Sequence, residues 1–82
     1  MKVEAFPNPF SQQISVATNF SQAESAEMLL TDMAGHIIFQ ETITTAAGRQ
    51  IHQIRPGALA HGMYCLRLRW GQKQWHQILI KN

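Results

Sequence analysis

The sequence predicts an all-β fold, a seven-stranded antiparallel β-sandwich, from the spacing of its turn signals and the alternation of its apolar residues. Turn-forming residues recur roughly every 8–13 residues, which is typical of a sandwich or barrel of short strands. The clearest alternation places four residues on one face: Tyr64, Leu66, Leu68 and Trp70. Segment 21–31 competes as a helix because it is rich in Ala and Glu, but the hairpin pattern that follows argues against one.

In the first half of the chain, two patterns mark turns. Pro7-Asn8-Pro9 ends the first strand, because two prolines hold an extended backbone that no helix includes. Asp32-Met33-Ala34-Gly35 closes a hairpin over 27–43, since Asp bonds the turn backbone and Gly adopts positive φ. The polar residues 19–25 are expected to connect two strands. The predicted strands are 3–6, 13–18, 27–31, 36–43, 49–55, 63–70 and 74–81.

The second half contains three further breaks. Ala46-Ala47-Gly48 forms a turn before the fifth strand, whose apolar anchors are Ile51 and Ile54. The compact loop 58–62 has room for one helical turn. Gly71-Gln72 then turns the chain into the last strand, so the two final strands form a hairpin.

Length and composition limit the class of protein. The chain of 82 residues forms at most one domain, 1–82. A hydrophobic content of 45% with a net charge of only +2 is not that of a disordered chain. The longest apolar runs are a few residues, too short to span a bilayer. Glu4, Pro7 and Asn8 interrupt any signal-peptide core, so we expect either a cytoplasmic protein or a piece of a longer exported one.

Charge is divided unevenly along the chain. Residues 1–48 hold one base, Lys2, and all five acids, whereas residues 49–82 hold six bases and no acid. Interleaving of the strands could neutralise the two halves, or the basic half could form a face for an acidic partner or surface. Nucleic acid is not an expected partner, because no Lys/Arg run and no stripe of aromatic and basic residues occurs.

Residues that could carry chemistry are few and scattered. The four histidines, His36, His52, His61 and His76, have no metal-ligand spacing. Cys65 is the only cysteine, so no internal disulfide can form, and its apolar neighbours indicate a buried, inert thiol. Neither a nucleophile elbow nor a glycine-rich phosphate loop is present. We therefore expect no catalytic residues, no metal and no cofactor.

Two tryptophans, Trp70 and Trp75, flank the Gly71 turn and allow two interpretations. They could form a cross-strand aromatic pair that stabilises the last hairpin, by roughly 0.2–1 kcal/mol. If exposed, they could instead stack on a sugar ring. The second interpretation makes the chain a carbohydrate-binding or adhesive β-sandwich module of a secreted enzyme.

Three motifs occur in order along the chain. Phe6-Pro7-Asn8-Pro9-Phe10 comes first, Asp32-Met33-Ala34-Gly35 follows Leu29-Leu30, and Leu59-Ala60-His61-Gly62-Met63-Tyr64 leads into the final hairpin, which ends near Lys81. In this order and at these spacings, the motifs resemble the C-terminal sorting domain, type A, of the type IX secretion system of Bacteroidetes. The resemblance covers essentially the whole chain.

The resemblance implies a fold, a role and partners. Members of the family are seven-stranded, immunoglobulin-like sandwiches at the C-terminus of large exported proteins, and they are not enzymes. An N-terminal passenger domain reaches the periplasm by its own signal, and the sorting domain then directs it through the outer-membrane translocon. A sortase-like peptidase commonly removes the domain. The passenger is then released or attached to the cell surface.

The resemblance also points to individual residues. The residues matched to the family motifs are Pro7, Asn8 and Pro9, then Asp32 and Gly35, then Gly62, Tyr64 and Arg67, and finally Lys81, with Lys73 as a second base near the end. The chain departs from the family where Trp75-His76-Gln77 stands in place of the lysines that often precede the last apolar run. Most matched residues are expected to determine the fold. Recognition is expected on the last hairpin, where an exposed final strand could add to a partner's sheet.

Overall fold

A computed structural model describes residues 2–82 as two antiparallel β-sheets that share one core; Met1, the first residue of the predicted domain, lies outside the described residues. No helix occurs in this range, so loop 58–62 forms no helical turn. Seven strands are present, as the sequence predicts: β1 (Lys2–Phe6), β2 (Ile14–Phe20), β3 (Glu24–Asp32), β4 (Ile37–Thr45), β5 (Gly48–Ile54), β6 (Gly62–Trp70) and β7 (Lys73–Lys81).

The strands are divided between a three-stranded and a four-stranded sheet. Sheet A has the order β1-β2-β5, and sheet B has the order β4-β3-β6-β7. The chain crosses from one sheet to the other between β2 and β3, between β4 and β5, and between β5 and β6. This arrangement is consistent with an immunoglobulin-like sandwich. The predicted fold class is therefore confirmed.

Alternation along the strands builds the core, and it also corrects two predictions. The predicted inner face of β6 is buried, with Leu66 and Leu68 fully inaccessible. Ile51 and Ile54 are not joint anchors of β5, because Ile51 is 53% exposed and Ile54 is 3% exposed. A spacing of three residues puts two side chains on opposite faces of a strand. Cys65 faces outward beside Arg67 and is half-buried rather than buried.

The predicted connection 19–25 is shorter in the structure. Asn19 and Phe20 continue β2, and Glu24 and Ser25 already belong to β3, so only 21–23 connect the two sheets. Phe20 explains the extension, because its buried ring lies against Trp70 with centroids 5.0 Å apart. Backbone pairing with β5 and β4 compensates the low strand propensity of the polar residues.

A hydrogen bond between two threonines crosses the core from one sheet to the other. Thr18 of β2 and Thr45 of β4 are fully buried, and their hydroxyl oxygens lie 3.1 Å apart. The Thr45 hydroxyl also has the Ala46 carbonyl oxygen as an acceptor, at 3.4 Å. Thr18 has no second partner among the described residues. The bond therefore satisfies the Thr18 hydroxyl inside an apolar core.

Replacing either threonine by valine should therefore have unequal effects. In Thr18→Val, the Thr45 hydroxyl keeps the Ala46 carbonyl, whereas Thr45→Val leaves the Thr18 hydroxyl buried without a partner. We expect Thr45→Val to lower the free energy of unfolding by about 1–3 kcal/mol and Thr18→Val by less. Urea unfolding of both variants and of the double variant measures the coupling. The assigned hydrogen bond would be contradicted if both single variants lost the same free energy of unfolding and the double variant lost their sum.

Candidate functional site

Most of the predicted site residues lie at one end of the sandwich, here called the motif end. It is formed by the loops 7–13, 33–36 and 55–61 and by the end of β7. A parallel bridge between Phe10 and Lys81 joins the two sheets there. Eight of the ten predicted site residues lie at this end: Pro7, Asn8, Pro9, Asp32, Gly35, Gly62, Tyr64 and Lys81.

The other two predicted site residues lie elsewhere. Arg67 is exposed on the outer face of sheet B, between Leu29 and His76 of the neighbouring strands. Lys73 begins β7 at the opposite end of the sandwich, where β1 also begins with Lys2. The structure therefore does not bring the two bases Lys73 and Lys81 together.

Asn8 clamps the edge of the last strand. Its side-chain oxygen accepts a hydrogen bond from the Ile80 backbone N–H at 2.8 Å, and its side-chain nitrogen donates to the Ile78 carbonyl at 3.3 Å. Phe10 continues the contact, donating its N–H to the Ile80 carbonyl and accepting from the Asn82 N–H. The peptide bonds before Pro7 and Pro9 are cis.

This clamp changes the expectation of an exposed final strand. The edge of β7 is covered from Ile78 to Asn82, so a partner strand cannot pair there without displacing Asn8 and Phe10. Only the first part of the strand is open. In an antiparallel strand, the backbone groups of every second residue face the same edge. Those of Gln74 and His76 therefore face the same edge as those of Ile80, and no strand pairs with them there within residues 2–82.

The Asp32 side chain organises the β3–β4 turn. One carboxylate oxygen accepts the backbone N–H groups of Ala34 and His36, at 3.0 and 2.9 Å, and the other lies 2.9 Å from the His36 ring Nδ1. Gly35 has φ of 93° and donates its N–H to the Asp32 carbonyl. The hydrogen bonds from the His36 backbone and ring lower the pKa of Asp32 below its ordinary value.

Tyr64 fixes the loop that leads into β6. Its hydroxyl donates a hydrogen bond to the Ala60 carbonyl at 2.7 Å, four residues upstream. Its ring is buried and meets Phe10 edge-on, with centroids 6.4 Å apart. A tyrosine near the start of this strand, bonded back to the preceding loop, is the tyrosine corner of immunoglobulin-like sandwiches. Gly62 connects this loop to β6 with a φ of 146°, a backbone conformation that residues with a side chain rarely adopt.

Lys81 borders an open groove that the sequence did not indicate. The groove has a volume of about 480 Å³, and the residues that line it with Lys81 are Ser11, Gln12, Arg55, Gly57, Ala58 and Leu59. Arg55 is exposed and Lys81 is half-buried. Sequence reasoning missed Arg55 as a site residue. Arg55 is the last residue of a predicted strand, and its place in the lining of the groove beside Lys81 is known only from the tertiary structure.

Trp70 and Trp75 do not form an exposed platform. Trp70 is only 8% exposed, and Trp75 is half-buried against the core. The register places Trp75 opposite Leu68 and Trp70 opposite Lys73, so the two rings are diagonal neighbours rather than a directly opposed pair. The structure thus lacks the exposed aromatic surface on which the sugar-binding interpretation depends.

The charges of the two halves neutralise each other at one contact. Arg69 lies 3.7 Å from Glu27 across β6 and β3, whereas the other bases have no acidic side chain within ion-pair distance in residues 2–82. Within the same range, no three side chains of His, Cys, Asp or Glu are grouped so that they could hold a metal ion. A helix long and apolar enough to cross a membrane is likewise not found there.

A comparison with protein families gives one match. The family model described as "Secretion system C-terminal sorting domain" matches residues 4–82. This confirms the resemblance to the type IX sorting domains stated from the motifs. No curated protein matches the chain, and no solved structure matches it either.

The clamp predicts a specific effect of removing the Asn8 amide. Asn8→Ala should lower the free energy of unfolding by about 1–2 kcal/mol, because two hydrogen bonds to β7 are lost. It should also speed hydrogen exchange at the Ile80 amide. Asn19→Ala is the control, since Asn19 of β2 is also exposed and its side chain makes no hydrogen bond within residues 2–82. Equal exchange rates at Ile80 in both variants would contradict the clamp.

The Asp32 turn predicts a pH dependence with a definite sign. A folded-state pKa below 3.8 means that the stabilisation is fully present above pH 3.8 and is lost as the pH falls through the folded pKa. Asp32→Asn keeps an oxygen acceptor for Ala34 and His36, so its turn should persist without this acid-induced loss. Urea unfolding at several pH values measures this pH dependence of the free energy of unfolding, with Glu4→Gln as the control. Parallel pH profiles of Asp32→Asn and the unaltered protein would show the prediction to be wrong.

Proposed function

Because the chain belongs to the family of secretion system C-terminal sorting domains, we propose that it directs a passenger protein across the outer membrane by the type IX route. The match over residues 4–82 is the observation that carries this proposal. The gathering of scattered motif residues at one end supports it. One shared end gives a partner a single surface to contact.

In this proposal the domain acts by binding and not by catalysis. Its partners are the outer-membrane translocon and the sortase-like peptidase of the type IX system. The domain is the C-terminal part of a larger exported protein, which passes through the periplasm and reaches the cell surface or the medium. The passenger would precede β1, which begins at the end of the sandwich opposite the motif end. The motif end would thus stay accessible while the passenger is attached.

The proposed recognition rests on different residues than the fold does. Asn8, Asp32 and Tyr64 have their polar side-chain atoms bonded within the domain, so their part in sorting is to maintain the shape of the motif end. The matched bases Arg67, Lys73 and Lys81 have no acidic side chain within ion-pair distance in residues 2–82, although the Lys81 ammonium donates to an Asn82 oxygen at 2.7 Å. Arg67 and Lys73 are exposed, and these bases are the candidates for direct contact with the secretion machinery.

A secretion assay tests the function. We expect a reporter with a periplasmic export signal to reach the medium or cell surface when residues 2–82 follow it, in a host with an active type IX translocon. The same fusion in a translocon-deficient host, and the reporter without the domain, should stay in the periplasm. Immunoblotting of periplasm, surface and medium measures the outcome. Periplasmic retention of the fusion in the competent host would refute the proposed function.

A further inference from the structure

The free edges of the two sheets differ in how well their backbone groups are protected. The edge strands are β1 and β5 in sheet A and β4 and β7 in sheet B. The edge of β7 is covered over its last residues by Asn8 and Phe10. On β1, the Ala5 carbonyl accepts a hydrogen bond from the Gln77 side chain of β7 at 3.3 Å. β1, the segment that follows it and β7 therefore protect one another on one side of the sandwich.

The edges of β4 and β5 have no such cover within residues 2–82. β5 begins with Gly48 and Arg49, and glycine and charged side chains both disfavour pairing with a further strand. β4 holds no Gly, Pro, Lys or Arg, and seven of its nine residues are Ile, Phe or Thr, which favour strands. Its one charged residue is Glu41. By composition and by lack of cover, β4 is the edge best suited to accept another strand.

A β-bulge sets the usable length of the β4 edge. Ile38 has no partner in β3, because the register between the two strands skips it. From Phe39 to Thr45 the pairing with β3 is regular. This regular segment offers an antiparallel partner about six to eight backbone hydrogen bonds.

The segment 39–45 fits its own antiparallel copy when Thr42 lies opposite Thr42 of the second copy. All residues of the segment then pair. On the outer face, the exposed Gln40 lies opposite the exposed Thr44, and two threonines meet at the centre, which is a favourable cross-strand pair. On the inner face, Glu41 lies opposite Ile43 and not opposite a second carboxylate.

The neighbouring registers are worse, which makes this one specific. Centring the pair on Glu41 places two carboxylates directly opposite each other, and like charges in that position are destabilising. Centring it on Ile43 shortens the pairing to residues 41–45. An arbitrary edge strand need not match itself. This match of the segment with its own copy is the observation that points to a second copy as the occupant.

We propose that β4 pairs with β4 of a second copy of this chain, antiparallel and about a two-fold axis at Thr42, so that two four-stranded sheets join into one. The contact is isologous and closes on itself. It is small, so the dimer is weak, with a Kd of roughly 10–500 μM. β4 and β7 lie at opposite edges of sheet B, so the pair leaves β7 uncovered by the second copy. The inference goes beyond the proposed function and does not depend on it.

Sedimentation of the 82-residue chain from about 10 μM to about 1 mM measures the association. We expect Thr42→Lys to raise the dimer Kd about fivefold or more, because it places two ammonium groups opposite each other at the axis. Gln53→Lys is the matched control, since it adds the same charge at an exposed position of β5, the other edge without cover. Hydrogen exchange of the β4 amides should slow as the concentration of the unaltered chain rises.

A mixture of two variants tests the two-fold register. Thr42→Glu should weaken association as Thr42→Lys does, because two carboxylates then meet at the axis. An equimolar mixture of the two variants should associate at least as tightly as the unaltered chain, since opposite charges face each other only in the mixed dimer. Such rescue is expected from a second copy paired about this position and not from association through another edge.

Three outcomes would overturn the proposal. The first is an unaltered chain that stays monomeric up to about 1 mM, which would mean that a second copy is not the occupant of this edge. The second is association that Gln53→Lys weakens as much as Thr42→Lys, or that neither weakens. The third is a mixture that associates no more tightly than its components. If Thr42→Lys unfolds the chain, as judged by its amide spectrum, Thr42→Glu and the hydrogen exchange of β4 decide the question.

Discussion

The hydrogen bonds between residues 8–10 and the last strand hold the two sheets together at the motif end. β1 belongs to sheet A, but the segment that follows it bonds to β7 of sheet B. An edge strand with free N–H and C=O groups is prone to pair with other chains. The side chain of Asn8 imitates a neighbouring strand and the backbone of Phe10 completes the cover. The core closes around the buried Phe10 ring as a consequence.

The same end is stiffened by two further local devices. The Asp32 carboxylate satisfies the backbone of its own turn, and the Tyr64 hydroxyl ties the preceding loop to β6. Each uses a polar side chain to bond main-chain groups that have no ladder partner, which is the usual solution where strands end. The motif residues therefore form a rigid frame. What the frame presents to solvent includes the exposed side chains of Arg55, Met33 and Ile37.

A frame of loops whose polar groups are bonded within the domain suits recognition of a folded surface. Preorganised loops reduce the entropy that binding would otherwise cost, so a modest number of contacts can be sufficient. The charge asymmetry of the chain is consistent with this. Within residues 2–82, Arg69 is the one Lys or Arg side chain with an acidic side chain within ion-pair distance.

The sequence by itself determined the seven strands, their turns and the inner face of β6, because alternation and turn residues are local properties of the backbone. It also determined the family, through short motifs whose order is legible without coordinates. It wrongly predicted that Ile51 and Cys65 are buried, and it predicted β2 and β3 to be shorter than they are. Burial depends on which elements pack against a strand, and a local pattern does not contain that information. Only the tertiary structure decided that Asn8 covers β7 and that Arg55 and Lys81 line the same groove. Both arrangements bring together residues far apart in the chain, and no local pattern encodes such distances.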